Sequence, residues 1–503
     1  MKIVGLIAEY NPFHNGHEYH IQKAKEVTGA DTVIVVMSGN FVQRGAPAIM
    51  PSLVLELPVC FATGSAEYFA QGAVALLDSL GCVDALCFGS ECGDIQPLTR
   101  IAEVLSDEPE EYRALLRASL KEGLPFPSAR ERALQDYLHD PALSRILASP
   151  NNTLGVEYIK ALIRQESTIR PYTTLRKDSR YHADTLEPAG NFSSATAIRR
   201  LLLFSGSSLR TVKDTPYDEP KLSSILARLE DHVPRECVNL LERTHLTRYP
   251  IYSNDFSLLI KYQLMRESRG TLTRYADVSE ELANRIMKHL NSYQNFDQFC
   301  DLIKTKEVTY SRISRCLLHI MLGIQASFLD RVAADGFIHY ARMLGFVQKE
   351  KEILSFIKKN SRIPLLPKLS DMDSLSEHGQ QMLHLDIFAS NLYESVISNK
   401  FKTPFCNEYS HPLGKDKRAL YRTNMRPVRS SCPVKSSFLQ LIQCPVSLFS
   451  FYTVSTLEHA TAIAPGPIRQ ATLRESGSIS TSYSGKRSSI SSFHFCASSS
   501  EQV

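Results

Sequence analysis

EYNPFHNGH, at Glu9–His17, is the stretch of this sequence that decides the fold. An apolar run, Ile3 to Ala8, precedes it, and a helix-like run, Glu18 to Val27, follows it. The pattern predicts a strand, a tight loop and the start of a helix, with His14 and His17 beside the helix N-terminus. Backbone N–H groups there favour anions, and imidazoles beside them can donate to phosphates. The stretch therefore predicts a site for attack on the α-phosphate of a nucleoside triphosphate.

Two other interpretations of the paired histidines remain open at this point. A His-x-x-His spacing is also compatible with a metal-binding pair, and two surface histidines give the same string. The strand before His14 and the helix after His17 favour the phosphate site, because a motif gains meaning from its structural context.

Composition and charge limit the class of protein. The chain has 503 residues, 43% of them hydrophobic, and a formal net charge of +4 at pH 7, which suits two or three domains. Its eleven cysteines form no CxxC pair and predict reduced thiols in a cytoplasmic protein. The N-terminus is predicted to be a strand rather than a signal peptide, and no run approaches the roughly 20 apolar residues of a membrane span. Nothing in the sequence assigns an oligomeric state.

The first 200 residues alternate between strand-like apolar runs and runs with helical periodicity. Strand-like and helix-like runs follow each other at Ile3–Ala8, Glu18–Val27, Thr32–Met37, Leu53–Val59, Ser65–Leu80 and Val83–Phe88. Such alternation predicts an α/β, Rossmann-like domain over residues 1–200, with ligands outside the carboxyl ends of parallel strands. The second and third strand runs are only about fifteen residues apart, too close for the usual crossover helix. Either these two strands are not neighbours, or a helix is absent.

The rest of the chain has a different character. From residue 201 to 404 apolar residues recur at helical spacing, which predicts an all-helical domain. The helical runs are Leu259–Arg266, Glu280–Leu290, Ser311–Leu322, Phe337–Leu344 and Gln348–Lys358. Basic residues recur in this part of the chain. They are compatible with solvated helix faces or, taken together, with a phosphate-binding stripe: Lys304, Lys306, Arg312, Arg315, Arg342, Lys349, Lys351, Lys358 and Lys359. Residues 405–503 lack periodicity, are rich in serine at their end, and are expected to be a disordered tail.

Four later segments carry residues suited to a nucleotide. Met37–Gly45 offers glycines and Arg44, Phe88–Glu91 offers Gly89, and Pro150–Gly155 offers two asparagines at a helix entry. Ser193–Arg200 places hydroxyls at a helix start and arginine one turn later, which suits triphosphate oxygens. Each segment alone is equally compatible with an ordinary turn or helix cap.

Together these strings resemble the bacterial tRNA(Met) cytidine acetate ligase family of HxGH nucleotidyltransferases. The likeness runs from Met1 to about Tyr409 and leaves the tail out. The resemblance implies that ATP activates acetate as acetyl-adenylate, with Mg²⁺ assisting, and that acetyl passes to N4 of the wobble cytidine of elongator tRNA(Met). It implies catalytic roles for His14 and His17 and a tRNA-binding role for residues 201–404. The ATP-binding residues that it implies are Ile7, Ala8, Glu9, Tyr10, Asn11, Pro12, Phe13, His14, Asn15, Gly16, His17, Glu18, Tyr19, His20, Gly89, Asn151, Asn152, Arg176, Ser194, Thr196 and Arg199.

Two departures from the family pattern keep alternatives open. The first is a helix with lysine and arginine that is missing between Met50 and Leu53, near Ala46, which itself replaces a residue that is commonly acidic. The second is the tail, residues 405–503, which matches nothing in the family. The alternatives are a nucleotidyltransferase that acts on a small phosphorylated metabolite, and a tRNA-binding relic with impaired catalysis.

Overall fold

A parallel sheet forms the centre of the first part of the chain. The structure is a computed structural model that describes residues 1–41, 53–124, 126–176, 186, 192–203, 222–346 and 351–410. Its strands are β1 (Ile3–Ala8), β2 (Thr32–Ser38), β3 (Leu53–Leu57), β4 (Ala85–Ser90), β5 (Arg170–Leu175), β6 (Ala341–Phe346) and β7 (Leu365–Leu366). They form one sheet of order β5-β4-β1-β2-β3-β6-β7, in which β5 to β3 are mutually parallel.

Helices cover this sheet and continue beyond it. Those of the first part are α1 (Asn15–Thr28), α2 (Val59–Ala62), α3 (Ala66–Ser79), α4 (Ile95–Asp107), α5 (Glu110–Lys121), α6 (Phe126–Leu138), α7 (Pro141–Ile146), α8 (Pro150–Arg164) and α9 (Ala195–Leu203). The later ones are α10 (Leu222–Leu229), α11 (Arg235–Thr244), α12 (Ser257–Arg266), α13 (Arg269–Leu272), α14 (Glu280–His289), α15 (Phe296–Ile303), α16 (Tyr310–Leu322), α17 (Ala326–Ala334), α18 (Lys351–Asn360) and α19 (Glu377–Phe401).

Both faces of the central strands are buried, which explains their continuous apolar sequences. In β1, Ile3 and Ile7 join the core on one face, whereas Val4 and Leu6 pack against α1 on the other. Alternate side chains of a strand point to opposite faces, so a strand covered on both sides needs apolar residues throughout. The predicted α/β, Rossmann-like fold is confirmed, with strand ends shifted by one or two residues.

The order of the parallel strands creates a crevice beside β1. The chain passes from β1 to β2 on one side, while β4 pairs with β1 on the other side. The strand order reverses at this point, and ligands of open α/β sheets bind there, outside the carboxyl ends of the strands. The loop that follows Ala8 and the turn that follows Ser90 meet at this edge.

β2 and β3 are neighbours in the sheet. This excludes the alternative that the two strands separated by a short interval are not adjacent. Ile34 to Ser38 pair in parallel with Leu53 to Leu57. Residues 42–52, including Arg44 and Ala46, lie outside the described part of the chain. Glu56, on β3, is buried and forms an ion pair with Arg342.

The prediction of a helix over Phe337–Leu344 is wrong. Ala341–Phe346 forms β6, which pairs antiparallel with β3 and extends the sheet from the later part of the chain. Arg342 is therefore largely covered, with its side chain 12% exposed, and it bridges Glu56 and Glu408. It does not belong to a surface stripe of basic residues. The run ARMLGF contains apolar residues at spacings that suit a helix or a strand, and pairing with β3 decides between them.

The other helical predictions for residues 201–404 agree closely with α12, α14 and α16. The run Gln348–Lys358 overlaps α18, and its first residues lie outside the described part. The domain bounds 1–200, 201–404 and 405–503 stay predictions, and residues 411–503 are not described. The described cysteines are free thiols. None of the described helices has the length and apolar character to cross a membrane.

Candidate nucleotide site

A cavity of about 280 Å³ lies at the carboxyl edge of β1, β4 and β5. The first turns of α1, α8 and α9 contribute to its wall, so three helix N-termini border the cavity. The lining residues are Ile7, Ala8, Glu9, Tyr10, Asn11, His14, Gly16, His17, Tyr19, His20, Ala66, Phe69, Phe88, Gly89, Asn151, Leu154, Tyr158, Thr174, Leu175, Arg176, Phe192, Ser194, Ala195, Thr196 and Arg199.

The two histidines of the opening motif form a reciprocal cap at the start of α1. The backbone N–H of Gly16 donates to His14 Nδ1 at 3.1 Å, and the backbone N–H of His14 donates to His17 Nδ1 at 3.3 Å. The rings stack with their centroids 3.7 Å apart. A capping box satisfies N–H groups that a helix start leaves without partners. Here imidazoles replace the usual hydroxyl and carboxylate.

This cap determines which ring nitrogens carry protons. Because Nδ1 of each ring accepts a hydrogen bond, the proton of each neutral imidazole is on Nε2. Burial, with smaller contributions from Arg176, Arg199 and His232, lowers the pKa of His14 to about 3. Burial and the neighbouring His14 likewise lower the pKa of His17 well below its usual value. Both rings are therefore neutral at pH 7, and each offers one Nε2–H donor.

Several buried polar groups on the wall have no hydrogen-bond partner among the described residues. They are the Tyr10 hydroxyl, both side-chain atoms of Asn11 and Nε2 of His20. Burial also lowers the pKa of His20 to about 4. Since an unsatisfied buried polar group costs about 1–3 kcal/mol, these groups are suited to a polar ligand.

The first turn of α9 supplies hydroxyls and a buried arginine. Ser194 Oγ accepts from the backbone N–H of Ala197 at 3.0 Å and so caps the helix. Arg199 is only 7% exposed; it donates to the Asn11 carbonyl oxygen at 2.6 Å and to Thr196 Oγ1 at 3.0 Å. The arginine thereby joins α9 to the opening loop and brings a positive charge to the cavity.

Arg176 and Gly89 lie together where β4 and β5 end. The backbone N–H of Arg176 donates to the Ser90 carbonyl oxygen at 3.0 Å, which continues the pairing of these strands. Burial lowers the pKa of His14, His17 and His20, and the Arg176 guanidinium adds to the shift of all three rings, so its charge lies near them. Gly89 has no side chain, and a Cβ there would contact only Arg176, so a ligand can approach the backbone.

The two asparagines at the start of α8 have different surroundings. The Glu91 carboxylate accepts from the Asn151 side chain at 2.6 Å and from the Asn152 backbone N–H at 2.9 Å. Asn152 Oδ1 accepts from the backbone N–H groups of Glu91 and Cys92, and its Nδ2 donates to the Ile146 carbonyl oxygen. Asn151 lines the cavity, whereas Asn152 is buried and does not line it.

Most residues of the expected ATP site are brought together by the fold. Asn152 and four residues of the opening segment lie outside the cavity wall, namely Pro12, Phe13, Asn15 and Glu18. Asn15 instead anchors α1, because its backbone and side chain donate to the carbonyl oxygens of His232 and Asp231.

Apolar wall residues were missing from the sequence-based set. Phe192 directly precedes the Ser193–Arg200 segment, and Phe69 lies on the apolar stripe of α3. Leu154 and Tyr158 follow Asn151 at spacings of three and seven residues, so they share one face of α8. That helical spacing could have predicted Leu154 and Tyr158, whereas Phe69 and Phe192 reach the cavity only through tertiary packing.

Comparison with known proteins gives a consistent family. A sequence model described as HIGH Nucleotidyl Transferase matches residues 1–406. The tRNA(Met) cytidine acetate ligase of Acetivibrio thermocellus is 40% identical over 415 residues, which cover 79% of this chain and 96% of the relative. The relative of the same description from Alkaliphilus metalliredigens is 37% identical over 422 residues, covering 79% and 95%.

Solved structures agree with this sequence relationship. The crystal structure of apo Thermotoga maritima TmcAL has a TM-score of 0.72 and 31% identity, and covers 82% of this chain and 98% of its own. The same protein bound with alpha-thio ATP has a TM-score of 0.70 with the same identity and coverage. With the HxGH turn at the expected sheet edge, this chain belongs to the tRNA(Met) cytidine acetate ligase family of the HIGH nucleotidyl transferases.

Proposed function

We propose that this chain is an ATP-dependent ligase that activates acetate and acetylates the wobble cytidine of elongator tRNA(Met) in the cytoplasm. The observation that carries the proposal is the pair of neutral imidazoles, His14 and His17, which share one cavity with the Arg199 guanidinium.

His14 and His17 hold the α-phosphate of ATP. Their Nε2–H groups are donors because Nδ1 of each ring is used in the helix cap. Each hydrogen bond to a charged group contributes about 1.5–3 kcal/mol, and a donor aimed at developing charge contributes more in the transition state. A neutral imidazole also avoids the cost of burying a second cation near the buried Arg199.

The start of α9 binds the pyrophosphate that leaves. Ser194, Thr196 and Arg199 line the cavity together, and a helix N-terminus favours anions. An acetate oxygen attacks the α-phosphorus, the bond from that phosphorus to the bridging oxygen of the β-phosphate breaks, and pyrophosphate departs with the electron pair. Fixed donors stabilise the negative charge on the leaving group without reorganisation during the reaction.

The nucleoside lies against the end of β4 and the start of α8. Gly89 leaves the backbone accessible, and Asn151 presents an amide that can donate and accept. Phe88 and Leu154 add apolar area on the same side. We assign Asn152 to this part of the site through its support of the Glu91 turn.

The cavity wall is compatible with Mg²⁺ bound to the triphosphate. Asn11 has a buried side-chain oxygen without a partner among the described residues, and Glu9 adds a carboxylate to the wall. Oxygen donors of these kinds suit this ion, which keeps several waters and binds phosphates as well. When bound it would neutralise part of the charge on the phosphates. Glu9 and Asn11 are the residues that would hold it.

Transfer to tRNA completes the reaction. The N4 amine of the cytidine attacks the acetyl carbonyl carbon, loses a proton, and displaces AMP as the leaving group. We assign tRNA binding to the helical part of the chain, where Lys358 and Lys359 at the end of α18 are exposed. Lysines on such a surface bind phosphates largely independently of sequence.

Mass spectrometry of the tRNA tests this function. Purified full chain is incubated with ATP, isotope-labelled acetate and elongator tRNA(Met), and the digested nucleosides are analysed. We expect labelled N4-acetylcytidine, with pyrophosphate released only when acetate is present. Pyrophosphate release that depends on a phosphorylated metabolite would identify the other enzyme class, and tRNA binding without ATP consumption would identify a relic.

A further inference from the structure

We propose that Asp335, His339 and His378 form a binding site for a divalent transition-metal ion of the Zn²⁺ class, separate from the nucleotide cavity. One ligand atom from each of these three residues lies within 4.8 Å of the other two. None of the three lines the nucleotide cavity. Two imidazole nitrogens and one carboxylate oxygen are a donor set that this class of metal prefers.

His339 provides the most specific observation. Its side chain is only 9% exposed, and its buried Nε2 has no hydrogen-bond partner among the described residues. The other ring nitrogen, Nδ1, is 3.2 Å from Ser376 Oγ. When Nδ1–H donates to that hydroxyl, Nε2 carries the lone pair. Metal-bound histidines are commonly oriented by such a bond from the second nitrogen.

The separation of the ligand atoms suits an ion between them. His339 Nε2 is 3.8 Å from Asp335 Oδ2, which is too long for a hydrogen bond. His378 Nδ1 is 2.9 Å from the same oxygen, to which it donates a hydrogen bond. Metal binding would release that proton and free the Nδ1 lone pair for the ion. In a tetrahedral site with metal–ligand distances of about 2.0–2.1 Å, ligand atoms are roughly 3.3 Å apart. Shifts of about half an ångström would bring these two distances to that value, and the two imidazole nitrogens lie within 4.8 Å of each other. The fourth position is left for water.

The backbone is shaped to bring the three residues together. Asp335 ends α17, and Gly336 and Phe337 follow with φ of 87° and 69°, in the left-handed region. This turn returns the chain so that His339 packs on the start of α19. A Cβ at Gly379 would be 3.1 Å from Cβ of His339, so a glycine at this position in α19 allows the close approach.

Charge at the cluster also favours a cation. The Asp335 side chain is exposed, and an aspartate carboxyl in that setting is ionised at neutral pH. A bound ion would join the end of α17 to the first turn of α19.

Metal titration of the whole chain tests the proposal. Tag-free protein is stripped with a chelator, dialysed, and titrated with Co²⁺, whose visible absorption reports tetrahedral nitrogen and oxygen ligation; Zn²⁺ uptake is measured by elemental analysis. The test variant is His378→Gln, because this ring is partly exposed and its loss should leave the fold intact. The matched control is His384→Gln, which removes an exposed histidine from the same helix.

We expect one equivalent of metal in the wild-type chain, intense Co²⁺ bands, and a higher midpoint of thermal unfolding with Zn²⁺. His378→Gln should bind Zn²⁺ roughly tenfold or more weakly and lose the shift of the midpoint, while His384→Gln behaves as wild type. Absence of the Co²⁺ bands from the wild type would overturn the proposal. Equal metal binding by wild type and His378→Gln, or an equal loss in both variants, would do the same.

Discussion

At the scale of single residues, His17 serves both the helix cap and the cavity. Its Nδ1 accepts from the His14 backbone, and its ring lines the nucleotide cavity. An asparagine can place an oxygen near the Nδ1 position, yet it has no donor at the position of Nε2. The two roles can therefore be separated by substitution.

For His17→Asn we expect pyrophosphate release to fall by about 10²–10³-fold, the usual cost of losing a transition-state donor. The midpoint of thermal unfolding should stay close to that of the wild type. His17→Ala loses the cap as well and should lower the free energy of unfolding by about a further 1 kcal/mol. Unchanged pyrophosphate release in both variants would reject the assignment of this ring.

Asn151 and Asn152 give a second prediction at this scale. Asn152→Ala removes the partners of two backbone N–H groups and one carbonyl group and should lower the free energy of unfolding by about 1–3 kcal/mol. Asn151→Ala should raise the KM for ATP with a smaller effect on stability. Chemical denaturation and ATP kinetics on both variants distinguish them, and the opposite pattern would contradict the two roles.

At this scale the sequence predicts which side chains suit a nucleotide better than it predicts where each side chain points. The spacing of His14 and His17, and of Ser194, Thr196 and Arg199, predicted residues that the fold does bring to one cavity. It did not separate Asn151 from Asn152, because adjacent residues at a helix start point in different directions. Which asparagine faces the cavity depends on the turn at Glu91, whose carboxylate accepts from both residues and which lies in another part of the chain.

At the scale of elements, β6 shows why periodicity alone was insufficient. Its six residues are compatible with either period, and the deciding interaction is with β3, far away in sequence. Carboxylates around β6 also fix its position: the buried Glu56 and the partly buried Glu408 share Arg342, and the buried Asp386 lies near it. Burial raises the pKa of the Glu56 carboxyl, and the Arg342 guanidinium opposes that shift.

Arg342→Met should therefore be strongly destabilising. It leaves buried carboxyl groups without their cation, and breaking a buried pair in this way costs about 3–5 kcal/mol. Arg362→Met is the control, since Arg362 pairs with Asp78 but its side chain is 63% exposed, and the expected cost is below about 1 kcal/mol. Urea unfolding of both variants at pH 7 measures the difference; equal losses would contradict the structural role of β6.

At the scale of the whole molecule, function is expected to reside in the part of the chain before residue 410. We predict that removing residues 410–503 leaves the affinity for elongator tRNA(Met) nearly unaltered. By contrast, replacing both Lys358 and Lys359 with glutamate should weaken tRNA binding. The slope of the logarithm of the binding constant against the logarithm of the salt concentration should fall in magnitude by about one for each phosphate contact that is lost. Filter binding over a range of salt concentrations tests both. A large loss of affinity on removal of the tail would contradict this division of labour.

The α/β architecture was predictable because continuous apolar strands and amphipathic helices are local signals. The pairing of β2 with β3 was not, since the short interval between them gave no crossover helix to infer it from. The reversal of strand order beside β1 then explains why segments distant in sequence meet at one sheet edge.

The location of ATP tests the central claim most directly. A crystal structure of the full chain with a non-hydrolysable ATP analogue should show a non-bridging oxygen of the α-phosphate within about 2.6–3.2 Å of Nε2 of His14 or His17. The β- and γ-phosphates should lie at the start of α9, near Arg199. An analogue bound elsewhere, with both imidazoles out of contact with its phosphates, would contradict the account.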